Sequence, residues 1–171
     1  MANIKYKLLT FSGLLICGTL YNSTPVEDFC LEGPIERVFI EKEKEEFEKT
    51  DLLLEAMIQV ESRGKEGSVG DKHLGRPSIG VLQIRPIMVK EVNRILKKRN
   101  IKKKYKLDDR YSREKSIEMF YIWKDYYHSE DSEEVIARCW NGGPKGWKRK
   151  ATEHYWSKVK TELNKLVGRS T

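Results

Sequence analysis

The stretch LLLEAMIQVESRG, residues 52–64, limits this chain more than any other part of it. Asp51 is a good N-cap, and the pattern predicts a helix over 52–62 that is apolar for most of its length and stops on Gly64. Ile58, Met57 and Leu54 lie three, four and seven residues before Glu61, so Glu61 continues the apolar stripe rather than the wet side. Burial there disfavours the charged form, and the negative end of the helix dipole pushes the same way, so the carboxyl pKa is expected to rise. A glutamic acid that stays protonated near neutral pH can donate a proton to a leaving group. The competing reading is a carboxylate at the helix edge, solvated or paired with one of the many Lys and Arg side chains.

Downstream the pattern predicts a mainly α (α+β) domain over residues 50–167. Residues 64–79 are rich in Gly, Ser, Asp and Pro and read as loop with at most a short hairpin. GVLQI, 80–84, is a short apolar run. Pro86 suits the first turn of a helix over 87–99, with Met88, Val92 and Ile95 on its stripe. KKRNIKKKYK, 97–106, interrupts that stripe. Further helices are expected over 112–127, with Ile117, Phe120, Tyr121 and Trp123 inward, over 132–140, and from about Thr152 to Leu166. No internal repeat is visible. The expected architecture is a compact helical domain with a small irregular or β-hairpin lobe after the helix that carries Glu61.

The N-terminus sets a compartment. Lys5 and Lys7 precede an apolar run over 8–20 that is too short for a comfortable membrane span. Residues 1–22 therefore read as a signal peptide, with an N-terminal membrane anchor as the alternative, and the body as exported to the periplasm or cell envelope. Cys17 resembles a lipoprotein site, but Ile16 stands where a small residue is wanted. Residues 23–49 read as a linker followed by a charged leading helix with Phe39 and Phe47 at helical spacing. Cys30 and Cys139 could form one disulfide in an exported body; two unpaired thiols, with Cys139 a small core residue, is the preferred reading. There is no CxxC pair, and His73, His128 and His154 are scattered, so neither a metal site nor a cofactor is expected. Charged residues make up 35% and the apolar set 39%, which suits a globular body, here taken as a monomer. The formal net charge of +7 points to an anionic partner.

Other stretches bear on Glu61. SIGVLQIRP, 78–86, puts Gln83 between Leu82 and Ile84, as a core-edge hydrogen-bonder or a ligand contact. ARCWNGGPKGW, 137–147, packs Trp140, Asn141, Gly142, Gly143 and Pro144 around a turn. Trp140 and Trp147 offer flat faces for sugar rings, and Asn141 can bond an amide or hydroxyl; the plain alternative is a helix-ending turn with aromatic packing. HYWSKVK, 154–160, adds Tyr155 on the last helix.

AMIQVESRG, SIGVLQIRP, ARCWNGGPKGW and HYWSKV follow the order of the motifs of the soluble-type (SLT) lytic transglycosylases, and over residues 50–162 the chain resembles that family. The resemblance implies the lysozyme-like fold shared with goose-type lysozymes. Glu61 resembles the family's single catalytic acid, Ser62 the serine that follows it, Gln83 with its neighbour Ile84 the second motif along the sugar cleft, and Asn141 the third-motif asparagine. Tyr155 resembles the late tyrosine near the catalytic glutamate. Leu82 replaces the usual Met, Arg85 stands where an apolar residue is common, and Trp140 replaces the usual Tyr and loses a phenol hydroxyl. The loop from Glu61 to Gly80 has its own form.

The implied substrate is the peptidoglycan glycan strand, cut at the β-1,4 bond between N-acetylmuramic acid and N-acetylglucosamine. Glu61 would act first as acid and then as base, closing a 1,6-anhydro ring without consuming water. The alternative on the same fold is lysozyme-type hydrolysis, for which Asp71 is the candidate second carboxylate; its plain reading is a turn residue. A glycan-binding module without chemistry would be expected to lack the glutamate. The basic run 97–106 also fits a phosphate-backbone contact, but no nucleic-acid fold surrounds it, and nucleic acid is not expected as a partner.

Overall fold

The computed structural model describes residues 52–170. The expected leader, linker, charged leading helix, Asp51 cap and Cys30 lie outside them. The described chain is mainly helical with a small two-stranded lobe. Helix α1 is described over residues 52–62 and ends at Ser62, as expected. It is the centre of the core: Ala56, Met57 and Ile58 are completely shielded from solvent, and Leu53 and Leu54 nearly so. Each such large side chain contributes about 1.5–3 kcal/mol by leaving water.

The lobe that follows is a minimal hairpin, strand β1 (Val69–Gly70) antiparallel to β2 (Ser78–Ile79), with a 3-10 turn, Lys72–Leu74, at its tip. The apolar run 80–84 doubles back so that Ile79 and Ile84 exchange both backbone hydrogen bonds, at 3.1 and 2.9 Å. Helix α2, Pro86–Lys98, starts on proline as the sequence implies. Helix α3, Arg113–Tyr127, is capped by the Ser112 hydroxyl, which accepts from the Lys115 N–H. α2 packs on α3 and the two enclose Val92, Leu96, Met119 and Phe120. Helix α4, Glu133–Gly142, runs two residues past the expected end, because Asn141 and Gly142 are still helical and the left-handed Gly143 (φ 79°) makes the stop. Helix α5, Glu153–Ser170, also runs past Leu166 and packs on α4.

One close approach holds lobe to body. Gly80 is left-handed (φ 82°), and a Cβ there would lie 1.8 Å from the Arg110 carbonyl oxygen. The buried Arg110 guanidinium itself donates to the carbonyls of Leu107, Pro77 and Ile84 at 2.6, 3.1 and 3.2 Å. Nothing in the sequence separates Arg110 from the other basic residues. Cys139 is a buried thiol with no disulfide among the described residues, in line with its reading as a small core residue, and its Sγ meets the Pro144 carbonyl at 3.8 Å.

Candidate active site

A cleft of about 1130 Å³ opens between the lobe, the start of α2 and the end of α4. Glu61, Gln83, Ile84, Trp140 and Asn141 all line it, and so does Asp71 from the hairpin loop. Residues from four stretches of sequence thus line one cleft.

Glu61 reaches the cleft from the last turn of α1. The helix stops abruptly because Arg63 (φ 56°) and Gly64 (φ 75°) are both left-handed, so the break begins one residue before the glycine the sequence points to. The Ser62 hydroxyl donates to the Val81 carbonyl at 2.8 Å and so pins the end of α1 to the 80–84 turn. The carboxyl sits largely enclosed by protein, and no Lys or Arg among the described residues pairs with it. Desolvation raises its pKa from 4.5 to about 7; Tyr155 pulls it down, and the Asp71 charge adds to the rise. The edge-exposed or ion-paired reading of Glu61 is therefore not what the fold adopts.

Tyr155 lies within the core beside Glu61 rather than on the cleft wall. Its hydroxyl is buried and has no close hydrogen-bond partner among the described residues. It stays near enough to the carboxyl to favour the ionised form, and burial together with Glu61 holds the phenol well above its ordinary pKa.

Two expected substrate contacts turn out to be builders of the wall. Ser62 is buried, spends its hydroxyl on Val81 and does not line the cleft. Ile84 does line it, but at 1% exposure it shapes the floor and offers almost no surface. Gln83, left-handed at φ 48°, is a hub: its Nε2 donates to Gly80 O at 2.9 Å and Ser68 O at 3.3 Å, and its Oε1 accepts from the Ser78 hydroxyl at 2.9 Å. Both sides of its amide are engaged, so it joins the two strands while facing the cleft. A Cβ on Gly70 would fall 2.3 Å from that Oε1, which explains the glycine.

Trp140 departs from the stacking role. Its Nε1 donates to Leu82 O at 3.3 Å, and its ring meets Phe120 and Trp123 edge-on at 5.3 and 5.1 Å. Trp147 is the free platform: it lines the cleft, is 46% exposed, and carries the Lys148 ammonium 4.6 Å from its ring centre. Asn141 is exposed and lines the same cleft.

Sequence reasoning missed two polar pairs on the wall. His128 Nδ1 meets Asp131 Oδ2 at 2.7 Å with the imidazole 4.5 Å from the Trp123 ring. Glu91 is held by Arg94 and by the Tyr127 hydroxyl, which keeps its carboxyl below the usual range. Of the carboxyls lining the cleft, Glu61 and Asp71 are therefore the two without an ion-pair partner among the described residues. Among those residues no group of three His, Cys, Asp or Glu could hold a metal ion. No protein-family model matches the chain, and no curated protein matches its sequence.

Proposed function

We propose that this protein is a peptidoglycan lytic transglycosylase with a lysozyme-like arrangement, in which Glu61 is the general acid and then the general base. The observation that carries this reading is the enclosed Glu61 carboxyl, with a pKa of about 7 and no counter-cation among the described residues, on the wall of a cleft large enough for several sugar rings. A carboxyl so poised is protonated often enough to give its proton to a glycosidic oxygen, and basic enough afterwards to take one back. In the first step the C1–O bond breaks as the proton moves from Glu61 to the leaving oxygen. In the second the muramic 6-hydroxyl attacks C1 and returns its proton to Glu61, leaving a 1,6-anhydro end. Trp147 would stack on a sugar face and Asn141 would bond an amide or hydroxyl.

Lysozyme-type hydrolysis is the second reading, favoured by the place of Asp71 in the same cleft, close enough for its charge to act on Glu61. Product mass decides between them. The full chain is incubated with purified peptidoglycan beside Glu61→Gln. Muropeptides one water lighter than hydrolysis products support the transglycosylase; reducing ends support the hydrolase; release by Glu61→Gln equal to the parent defeats both.

A further inference from the structure

The ten residues 97–106 hold seven basic side chains and no acidic one, equal to the formal net charge of the entire chain. The remaining sequence is balanced, so the cationic excess is local. It is also anchored at both ends. After α2, Asn100 is left-handed (φ 58°), the Ile101 N–H bonds Leu96 O at 2.9 Å, and the Asn100 N–H bonds Lys97 O at 3.1 Å, which closes the helix. At the far end the Asn93 amide clamps the Tyr105 backbone twice, at 2.8 Å each, and the buried Tyr105 ring donates its hydroxyl to Glu118 at 2.7 Å. Between these anchors Lys102, Lys103 and Lys104 stand exposed. Lys103 pairs with Glu118; Lys97, Lys102 and Lys104 have no ion pair among the described residues. On α3, the Tyr126 ring gathers Arg94, Lys98 and Arg99 at 5.7, 5.3 and 5.5 Å.

Two aliphatic side chains are displayed with this charge: Ile101 is 45% and Leu107 47% exposed. A solvated face has no use for them, and a phosphate backbone gives them nothing to touch. Lysines around exposed aliphatics suit the headgroup and upper acyl layer of an anionic bilayer. We infer that the 97–107 face is a docking surface for an anionic lipid bilayer, with the lysines over the lipid phosphates and Ile101 and Leu107 in the interfacial layer. The inference goes beyond the proposed wall activity and stands without it. Helix α2 has 13 residues, about 20 Å, and runs from Ile87 and Met88 on the cleft wall to this surface, so docking keeps the cleft within about that distance of the bilayer.

The test is co-sedimentation of the full chain with vesicles of phosphatidylglycerol and phosphatidylcholine in equal parts, beside pure phosphatidylcholine. The apolar run 8–20 is present in every arm, so only differences between variants are read. The parent is expected to prefer the anionic vesicles and to lose that preference with salt. Triple replacement of Lys97, Lys102 and Lys104 by Gln should weaken partition about 100-fold, at about fivefold per basic residue. Ile101→Ser should weaken it about fivefold while leaving retention on duplex DNA unchanged. All these side chains are exposed, so thermal melts should match the parent. Equal anionic-vesicle binding by parent and triple variant overturns the proposal. So does an Ile101→Ser/Leu107→Ser variant that binds vesicles like the parent, while DNA retention shows the same lysine dependence; the surface would then read phosphodiester chains.

Discussion

Glu61 makes the fold less stable as pH rises, and the size of that effect follows from its burial. The carboxyl is raised from 4.5 to about 7, and each pH unit is worth about 1.4 kcal/mol, so charging it in place costs about 3 kcal/mol. Below pH 4.5 the group is protonated in both folded and unfolded chains and there is no penalty. Between 4.5 and 7 the unfolded chain loses its proton while the folded one keeps it, and stability falls. Above 7 the full penalty is in place. Glu61→Gln keeps the shape and removes the charge. The variant should therefore match the parent at pH 4 and exceed it by about 3 kcal/mol at pH 8 in urea titrations followed by circular dichroism. Parallel pH–stability curves for parent and Glu61→Gln would refute the claim that Glu61 is a desolvated carboxyl, and with it the acid–base role.

Tyr155→Phe removes the group that lowers the Glu61 pKa, so the high-pH limb of turbidity clearance on peptidoglycan should move to higher pH; a limb that stays fixed would separate Tyr155 from the carboxyl. Trp147→Ala should raise KM about fivefold with an unchanged melting temperature, whereas Trp140→Ala should lower the melting temperature, because one ring is exposed and the other is packed on Phe120 and Trp123. Ser62→Ala leaves the buried Val81 carbonyl without its side-chain donor and should cost about 1–3 kcal/mol in denaturant unfolding. Gly80→Ala forces a Cβ against the Arg110 carbonyl at a left-handed position and should cost about 3 kcal/mol, read as a drop in the urea midpoint.

Periodicity alone determined the helices. Apolar spacing placed α1, α2 and α3 within a residue of their observed limits, and Glu61 followed because three apolar residues on its face dictate where that face points. Pro86 marked a helix start through backbone rules that act within a single turn. Helix ends were less legible: the local pattern around Asn141 and Gly142 reads as a turn, yet packing carries α4 through both to Gly143. What only the tertiary structure decided is which polar groups are free. Gln83, Ser62 and Trp140 have the chemistry of substrate contacts, but the fold places partners from distant sequence beside them and uses their hydrogen bonds for the wall. Trp147 and Asp71 stay exposed on the cleft, Trp147 with only the Lys148 ammonium over its ring and Asp71 without an ion-pair partner among the described residues. Arg110 ties the lobe to the body through the carbonyls of Pro77 and Ile84, both remote from it in sequence. Helical period is a property of neighbours a few residues apart; the availability of a hydrogen bond depends on every chain segment that reaches it, and those meet only when the molecule has folded.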